Sequence, residues 1–282
     1  MREKTVVVTG ASSGIGLETA RALAEKGARV VMVVRSRTRG EAAIETIRST
    51  VHDARIELVL ADLYSLEEVR NAGAELRKKC DRLDVLVNNA GLIHKSRELT
   101  VDGIERTFAL NHLAAFLLTY ELRELLAESA PARVVTVSSF AHHFARFEWD
   151  DLATMKRWKG ETPVYGASKL CNIWFAKESA RRLAPKRVTS NALHPGAVAS
   201  NFGASGSWLF SVGAKVVRPF LLSSAEGART SIHLASSPDV EGTTGEYFVS
   251  SKVATPSRKA RDEESARRLW ELSERLCGIR WS

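Results

Sequence analysis

The fold is decided by the stretch Val6-Val7-Val8-Thr9-Gly10-Ala11-Ser12-Ser13-Gly14-Ile15-Gly16, close to the start of the chain. Its β-branched residues predict a buried strand, and its glycines predict a tight turn that leads into a helix. Gly10 permits the turn, Gly14 lets a ligand approach the backbone, and Gly16 lets the helix pack on the strand. The start of that helix presents free N–H groups to a diphosphate, which favours dinucleotide binding over a merely structural turn.

The same alternation of strand and helix continues along the chain. The predicted strands are Thr5–Thr9, Arg29–Val34, Arg55–Leu60, Leu83–Val87, Arg133–Val137, Val188–Leu193 and Glu246–Val249. The predicted helices are Ile15–Lys26, Arg37–Thr50, Ser65–Cys80, Asp102–Ser129, Pro163–Leu183, Ser224–Ala235 and Asp262–Cys277. Strands that are apolar throughout are buried on both faces. We therefore expect an α/β fold with a doubly wound parallel sheet (Rossmann fold), in three layers α/β/α, as a single domain over residues 1–282.

Composition and charge exclude several other classes of protein. The chain has 282 residues and a net charge of +8, but its basic residues are dispersed, so we expect no nucleic-acid partner. Cys80, Cys171 and Cys277 form no disulfide-type or zinc-type pair. His142 and His143 have no apparent third ligand, so no metal is expected. With no signal peptide or long apolar run in sight, the sequence predicts a cytoplasmic protein.

The end of the second strand bears on the choice of nicotinamide cofactor. An acidic side chain at this place binds the adenosine ribose of NAD. Here the strand ends Val34-Arg35-Ser36-Arg37, without an acid. Because Arg35 can pair with a 2′-phosphate, the sequence predicts NADP(H). The alternative is that Arg35 and Arg37 are only surface charges and that the cofactor is NAD(H).

A small set of polar residues suits proton transfer to or from a carbonyl oxygen. Tyr165 and Lys169 are four residues apart on a predicted helix and therefore share a face. The ammonium is expected to lower the pKa of the tyrosine, which could then act as an acid or a base. Ser138 and Ser139 follow the fifth predicted strand, where a hydroxyl can hydrogen-bond a substrate oxygen. Asn111 interrupts an apolar helix, as either a satisfied core residue or the holder of a water molecule.

With these motifs in place, the sequence resembles the short-chain dehydrogenase/reductase superfamily over nearly its whole length. The matching motifs occur in the family's order: the glycine-rich turn, Asp62-Leu63, Asn88-Asn89-Ala90-Gly91, Asn111, Ser139, Tyr165 with Lys169, and Pro195-Gly196. The catalytic residues that the resemblance implies are Asn111, Ser139, Tyr165 and Lys169. The implied cofactor-binding residues are Gly10, Ser12, Ser13, Gly14, Ile15, Gly16, Arg35, Asp62, Leu63, Asn89, Ala90, Gly91, Tyr165, Lys169, Pro195, Gly196 and Val198.

A narrower resemblance points to the retinol dehydrogenase-like branch of this superfamily. It is carried by residues 35–40, by Asn111-His112-Leu113, by residues 138–143 and by Arg267-Arg268-Leu269-Trp270. As in that branch, a long segment separates Ser139 from Tyr165. Its aromatic residues either wall the substrate site or pack the inserted loop; they are Phe144, Phe147, Trp149 and Trp158. Retinol-handling members often carry an N-terminal membrane anchor, which we do not expect here, and this puts retinoid specificity in doubt.

The apolar, glycine-broken segment 201–222 is expected to face the substrate. We interpret residues 197–223 as a substrate lid over a lipophilic aldehyde, ketone or alcohol. The same segment could instead make peripheral membrane contact or pack on another subunit. The helices around 104–126 and 163–183 often form subunit interfaces in the family that this sequence resembles, so the resemblance is compatible with a homodimer or homotetramer. The main alternative to an enzyme is a non-enzymatic NADP(H)-binding sensor or scaffold on the same fold.

Overall fold

The sheet of the computed structural model runs through the middle of the described chain, residues 1–198 and 222–281. Its eight strands lie in the order β3-β2-β1-β4-β5-β6-β7-β8, and only the β7–β8 pair is antiparallel among these residues. The strands are β1 (Thr5–Thr9), β2 (Arg29–Val34), β3 (Ile56–Leu60), β4 (Val85–Asn88), β5 (Ala132–Val137), β6 (Val188–His194), β7 (Tyr247–Val249) and β8 (Lys252–Val253). This confirms the predicted doubly wound α/β fold.

Helices cover both faces of the sheet. They are α1 (Gly14–Glu25), α2 (Arg37–Arg48), α3 (Leu66–Lys79), the single turn α4 (Arg106–Phe108), α5 (Ala114–Glu128), α6 (Glu161–Leu183), α7 (Ser224–Ser236) and α8 (Glu263–Cys277). One hydrophobic core joins the sheet to α1, α2 and α7, and a second core joins it to α3, α5, α6 and α8. The three layers α/β/α follow from these two cores.

The strand sequences explain why both cores form. Side chains of a strand point alternately to opposite faces. In β1, Val7 enters one core while Val6 and Val8 enter the other, and all three are fully buried. β2 divides its apolar residues in the same way. A continuous apolar run is therefore what a sheet covered on both faces requires.

Two elements differ from the sequence prediction. The predicted helix Asp102–Ser129 begins at Arg106 and contains a π-helical turn over Ala109–Leu113 before α5. The short strand β8 was not predicted. It consists only of Lys252 and Val253, which are both exposed, and two residues are too few to show an apolar pattern. No helix of residues 1–198 or 222–281 is long and apolar enough to cross a membrane.

The carboxyl-terminal helix α8 packs on the outer surface of α5 and α6. Trp270 is buried with its ring centre 4.9 Å from that of Phe116 and 6.0 Å from that of Phe175. Trp281 follows α8 and also contacts Phe116 and Trp270. Part of the surface expected to form a homodimer or homotetramer interface is therefore covered by this chain itself. The oligomeric state stays a prediction.

Candidate active site

A cleft of about 670 Å³ lies where the parallel strands end, next to the point between β1 and β4 at which the strand order reverses. This is the expected position and size of a ligand site in a doubly wound sheet, typically 300–1,000 Å³. Its walls contain every residue predicted to bind the cofactor, together with Ser139; the cofactor set is Gly10, Ser12, Ser13, Gly14, Ile15, Gly16, Arg35, Asp62, Leu63, Asn89, Ala90, Gly91, Tyr165, Lys169, Pro195, Gly196 and Val198.

The glycine-rich turn forms one wall of the cleft and suits a diphosphate. Gly10 and Gly14 have φ angles of +66° and +60°, which favour glycine. A Cβ on Gly16 would collide with the side chain of Asn89 and with the backbone of the turn. Ser13 is the N-cap of α1 and makes no side-chain capping bond, and the first turn of α1 has no acidic residue. The N–H groups at this helix start are thus suited to an anionic group.

Thr9 ties the glycine-rich turn to the end of β4. Its hydroxyl accepts hydrogen bonds from the N–H of Asn89 at 3.0 Å and from the N–H of Ala90 at 2.9 Å. The Asn89 amide donates back to the carbonyl of Thr9 at 2.8 Å. Asn88 points away from the cleft and donates to the Thr119 hydroxyl of α5 at 3.0 Å. Asn88 therefore anchors the strand, while Asn89 and Ala90 form the floor of the cleft.

The end of the cleft that follows β2, where a dinucleotide in this kind of fold has its adenosine, carries two arginines. Arg35 and Arg39 both line it, with Ser36 between them at the N-cap of α2. Arg37 points elsewhere and pairs with Glu41 at 3.7 Å, so it is a surface charge. Arg39 was missed by the sequence analysis. Its spacing of four residues from Arg35, across a helix start, is the signal that could have found it.

Tyr64 is a second cleft residue that the sequence analysis missed. Its hydroxyl lies 2.9 Å from Nε2 of His94, and its ring packs beneath the guanidinium of Arg106 at 4.6 Å. The guanidinium of Arg35 lies 5.9 Å from the same ring centre. A single tyrosine after Asp62-Leu63 has no sequence signature. The other unpredicted residues of the cleft include Leu92, Leu110 and Ser224.

Tyr165 and Lys169 face the cleft from one side of α6, as their spacing predicts. Nζ of Lys169 lies 5.6 Å from the centre of the Tyr165 ring and donates to the carbonyl of Val137 at 2.9 Å. Burial raises the pKa of Tyr165 above its usual value, although a hydrogen bond with Ser139 acts in the opposite direction. Burial lowers the pKa of Lys169 to about 7. Desolvation is the largest effect on both groups, so the expected lowering of the tyrosine pKa by Lys169 is not seen for these two side chains alone.

The two serines after β5, Ser138 and Ser139, have different hydrogen-bond partners. The Ser138 hydroxyl is buried and donates to the carbonyl of Lys169 at 2.6 Å, so it fixes the backbone of α6. Ser139 lies one residue further along, and its side chain is hydrogen-bonded to Tyr165. It is also the N-cap of a 3₁₀ helix over Phe140–Phe144. Of the two serines, Ser139 is therefore the one whose side chain lies at Tyr165.

Asn111 lies in the π-helical turn, one layer behind the cleft wall. Its Oδ1 accepts from the N–H of Leu92 at 2.8 Å, and its Nδ2 donates to the carbonyl of Leu92 at 3.0 Å and to the Ser168 hydroxyl at 2.9 Å. A Cβ on Gly91 would lie 3.0 Å from Oδ1 of Asn111 and 3.1 Å from Nζ of Lys169. Asn111 thus fixes the loop after β4 close to the lysine.

Most of the predicted lid, residues 199–221 of 197–223, lies outside the described residues. Its two neighbours, Val198 and Leu222, form a parallel bridge, and Leu222 donates its N–H to the carbonyl of Ala197 at 2.8 Å. Three of the four aromatic residues expected either to wall the substrate site or to pack the segment before Tyr165 pack on the core instead of lining the cleft, whereas the fourth, Phe144, is more than half exposed. Trp149 stacks on Trp174 of α6 at 5.7 Å, and Phe147 and Trp158 also pack on the core, so they stabilise the inserted segment.

Comparison with known proteins identifies the family. The family described as short chain dehydrogenase matches residues 4–207. The chain belongs to the short chain dehydrogenase family. Members are oxidoreductases that use a nicotinamide cofactor on alcohols or carbonyl compounds, and the cleft described above has the walls that such a cofactor needs.

The chain is similar in sequence to retinol dehydrogenases over almost its whole length. Retinol dehydrogenase 12 of Mus musculus is 41% identical, with 99% of this chain and 87% of the relative covered. Retinol dehydrogenase 14 of Mus musculus is 42% identical at the same coverages. The WW domain-containing oxidoreductase of Homo sapiens is 40% identical, over 97% of this chain and 68% of that protein. The retinol dehydrogenase-like relationship is confirmed.

Solved structures of this short chain dehydrogenase family support the fold. An uncharacterized protein from Mycobacterium paratuberculosis has a TM-score of 0.80 and 33% identity, and the alignment covers 100% of this chain and 96% of that one. A protein described as an NAD(P)-dependent gluconate 5-dehydrogenase from Beutenbergia cavernae was solved with bound NADP at low occupancy. It has a TM-score of 0.72 and 26% identity, with 89% of this chain and 96% of that one covered.

Proposed function

We propose that this protein is an NADP(H)-dependent oxidoreductase that interconverts a lipophilic aldehyde or ketone and its alcohol. One observation carries the proposal: Ser139, Tyr165 and Lys169 line the same cleft as the glycine-rich turn. The start of α1 would hold the diphosphate of a dinucleotide in this cleft, and Tyr165 and Lys169 would lie beside its nicotinamide.

The chain's own residues would handle the substrate oxygen. The hydroxyls of Ser139 and Tyr165 are hydrogen-bonded to each other. A substrate carbonyl oxygen that replaces this bond could accept a hydrogen bond from each of the two hydroxyls. NADPH, when bound, would supply a hydride to the carbonyl carbon. Tyr165 would donate its phenolic proton to the substrate oxygen. In the reverse direction the phenolate takes the proton of the alcohol. Lys169 holds its ammonium beside the phenol and stabilises the phenolate that reduction leaves.

The preference for NADP(H) rests on the adenosine end of the cleft. Arg35 and Arg39 are both exposed there, and neither forms an ion pair within the described part of the chain. A guanidinium group can donate two parallel hydrogen bonds to the oxygens of a phosphate, so these two side chains suit a 2′-phosphate. No acidic residue occupies the end of β2, where a ribose-binding carboxylate would lie. The NADP in the Beutenbergia cavernae structure belongs to that protein but agrees with this reading.

The preference for a lipophilic substrate rests on apolar side chains around the reacting end. Phe140 follows Ser139 directly and is more than half exposed, and its ring meets that of the similarly exposed Phe144 edge to face at 6.1 Å. Leu92 lines the cleft and is 40% exposed. Exposed apolar groups beside polar catalytic groups are typical of a site that binds an apolar molecule.

Turnover tests the proposal directly. The purified protein is mixed with NADPH or NADH and with retinal, long-chain aliphatic aldehydes and aromatic ketones, and cofactor consumption is followed by absorbance. We expect consumption of NADPH with at least one lipophilic carbonyl compound. Binding of NADPH without turnover of any of them would instead favour the sensor or scaffold.

Cofactor preference has a matched pair of variants. Arg35→Asp removes a cleft arginine, whereas Arg37→Asp changes a nearby arginine that lies outside the cleft. A charge-assisted hydrogen bond is worth about 1.5–3 kcal/mol, so Arg35→Asp should raise the KM for NADPH roughly 10–100-fold. Arg37→Asp should leave it nearly unchanged. Equal effects of the two variants would remove the basis for a 2′-phosphate site at Arg35.

A further inference from the structure

His142 is a buried side chain that the proposed chemistry does not use. It lies in the 3₁₀ helix that begins after Ser139, and only 1% of its surface is exposed. Its Nδ1 lies 2.7 Å from the carbonyl oxygen of Ser139. Its Nε2 lies 3.0 Å from the backbone nitrogen of Ser257, a residue far along the chain. The imidazole thus bridges the serine and the segment before α8.

The two partners fix the protonation of this imidazole. A carbonyl oxygen can only accept, so Nδ1 must carry the proton and donate to Ser139. A backbone N–H can only donate, so Nε2 must be the unprotonated acceptor from Ser257. Burial lowers the pKa of His142 to about 4, which keeps it neutral. Its ring also packs edge to face on the buried Tyr247 at 5.3 Å.

The bond to Ser139 acts where the two proposed catalytic side chains meet. The carbonyl of Ser139 also accepts from the backbone N–H of His142 at 3.2 Å, so one residue holds it twice. The turn that follows Ser139 packs directly on α6 beside Tyr165. A Cβ on Gly166 would lie 2.5 Å from the carbonyl oxygen of Ala141. A rotation of the Ser139 peptide would therefore change the separation of the Ser139 and Tyr165 hydroxyls.

We propose that His142 is a positioning residue: its Nδ1–H holds the backbone of Ser139 so that the hydroxyl stays aligned with Tyr165. Its other nitrogen anchors the same turn to the Ser257 segment. That segment is held in turn by α6, because Nε1 of Trp174 donates to the carbonyl of Lys259 at 3.0 Å. This inference rests on the proposed function, since it assigns the reason why Ser139 is in place.

Two amide variants separate the two bonds of His142. Asparagine places its NH₂ where Nδ1 lies and can still donate to Ser139, but it does not reach Ser257. Glutamine places its oxygen where Nε2 lies and can still accept from Ser257, but it does not hold Ser139. Each variant loses one buried hydrogen bond, so both should lose similar thermal stability.

Activity should distinguish the two variants although their stability does not. We expect His142→Gln to lower kcat about tenfold, with the KM and Kd for NADPH unchanged. His142→Asn should retain kcat within about twofold, because the bond to Ser139 persists. Equal kcat losses in the two variants would show a purely structural role and overturn the inference. Nitrogen chemical shifts of the histidine ring should report a proton on Nδ1, and a proton on Nε2 instead would also overturn it.

Ser139→Ala and Tyr165→Phe are measured in parallel with the His142 variants. If both abolish turnover while His142→Gln keeps the full kcat, the positioning role fails and the proposed function stands. If both retain turnover, the proposed function fails, whatever the His142 variants do.

Discussion

Lys169→Met should stabilise the cofactor-free protein while it abolishes turnover. The lysine is 2% exposed, and its ammonium donates to the carbonyl of Val137 with no acidic partner within the described residues. Methionine has a similar length and no charge. The carbonyl of Val137 keeps a second donor in the variant, because Nδ2 of Asn172 lies 3.1 Å from it.

The magnitude follows from the pKa of the lysine. Burial lowers the pKa of Lys169 from 10.5 to about 7. This difference corresponds to on the order of 5 kcal/mol of unfavourable free energy when the group is charged in the native state. Loss of the hydrogen bond to Val137 offsets about 1–2 kcal/mol. The variant should therefore gain on the order of 3 kcal/mol, which raises Tm by roughly 5–10 °C for a chain of this size.

The lowered pKa of Lys169 determines how the stability of the protein changes with pH. Between pH 7 and 10.5 the unfolded chain holds a proton on Lys169 that the native state has lost. Stability of the wild-type protein therefore rises with pH across that window as far as this group is concerned. Below pH 7 Lys169 is charged in the native state, so the full free-energy penalty of its burial lowers the stability of the wild-type protein. The advantage of Lys169→Met should be largest below pH 7 and should shrink towards pH 10.

Thermal melts followed by circular dichroism between pH 6 and pH 10 measure this effect. Lys177→Met changes a partly exposed lysine of the same helix and serves as the control, with an expected change in Tm within about 2 °C. A lower Tm in Lys169→Met, or a Tm difference that does not shrink with rising pH, would refute the reasoning.

Two further predictions concern other parts of the chain. Asp84→Asn should lower the free energy of unfolding by about 2 kcal/mol at neutral pH, since this buried carboxylate accepts two bonds from Arg82. These and other hydrogen bonds outweigh burial and lower the pKa of Asp84. The contribution of Asp84 to stability is therefore lost as pH falls through that lowered pKa. Urea melts in which wild type and Asp84→Asn differ by a constant free energy of unfolding down to pH 3 would contradict this. Gly91→Ala should lower kcat at least tenfold with little change in Tm, because its Cβ would press on Asn111 and Lys169. A normal kcat in that variant would show that the contact is not needed for turnover.

The sequence predicted the fold because its apolar pattern matches the sheet. The strands β1 and β2 have the predicted bounds, since each is a β-branched run followed by a turn or a helix cap. It also predicted which residues line the cleft, because parallel strands bring their carboxyl ends to one edge. Residues that follow different strands, such as Arg35, Asn89 and Ser139, therefore line one cleft although they are far apart along the chain.

What the sequence could not predict depends on backbone geometry or on packing between distant segments. The π-helical turn around Asn111 differs from an α-helix only in its hydrogen bonds, so its apolar residues look the same. The bridge from His142 to Ser257 joins an imidazole to a backbone N–H, and a backbone partner has no signature in side-chain type. The pKa of Tyr165 was expected to fall because a lysine is near, but burial is a property of the folded chain and has the larger effect.

The central claim is that Tyr165 exchanges a proton with the substrate oxygen beside a bound NADP(H). The direct test is Tyr165→Phe, which removes one hydroxyl from a half-buried ring and leaves the rest of the cleft in place. NADPH binding is measured by fluorescence and turnover by NADPH consumption with the best carbonyl substrate of the wild-type protein. We predict that the Kd for NADPH stays within about twofold and that kcat falls at least a hundredfold. A variant that binds NADPH and keeps a wild-type kcat would contradict the account.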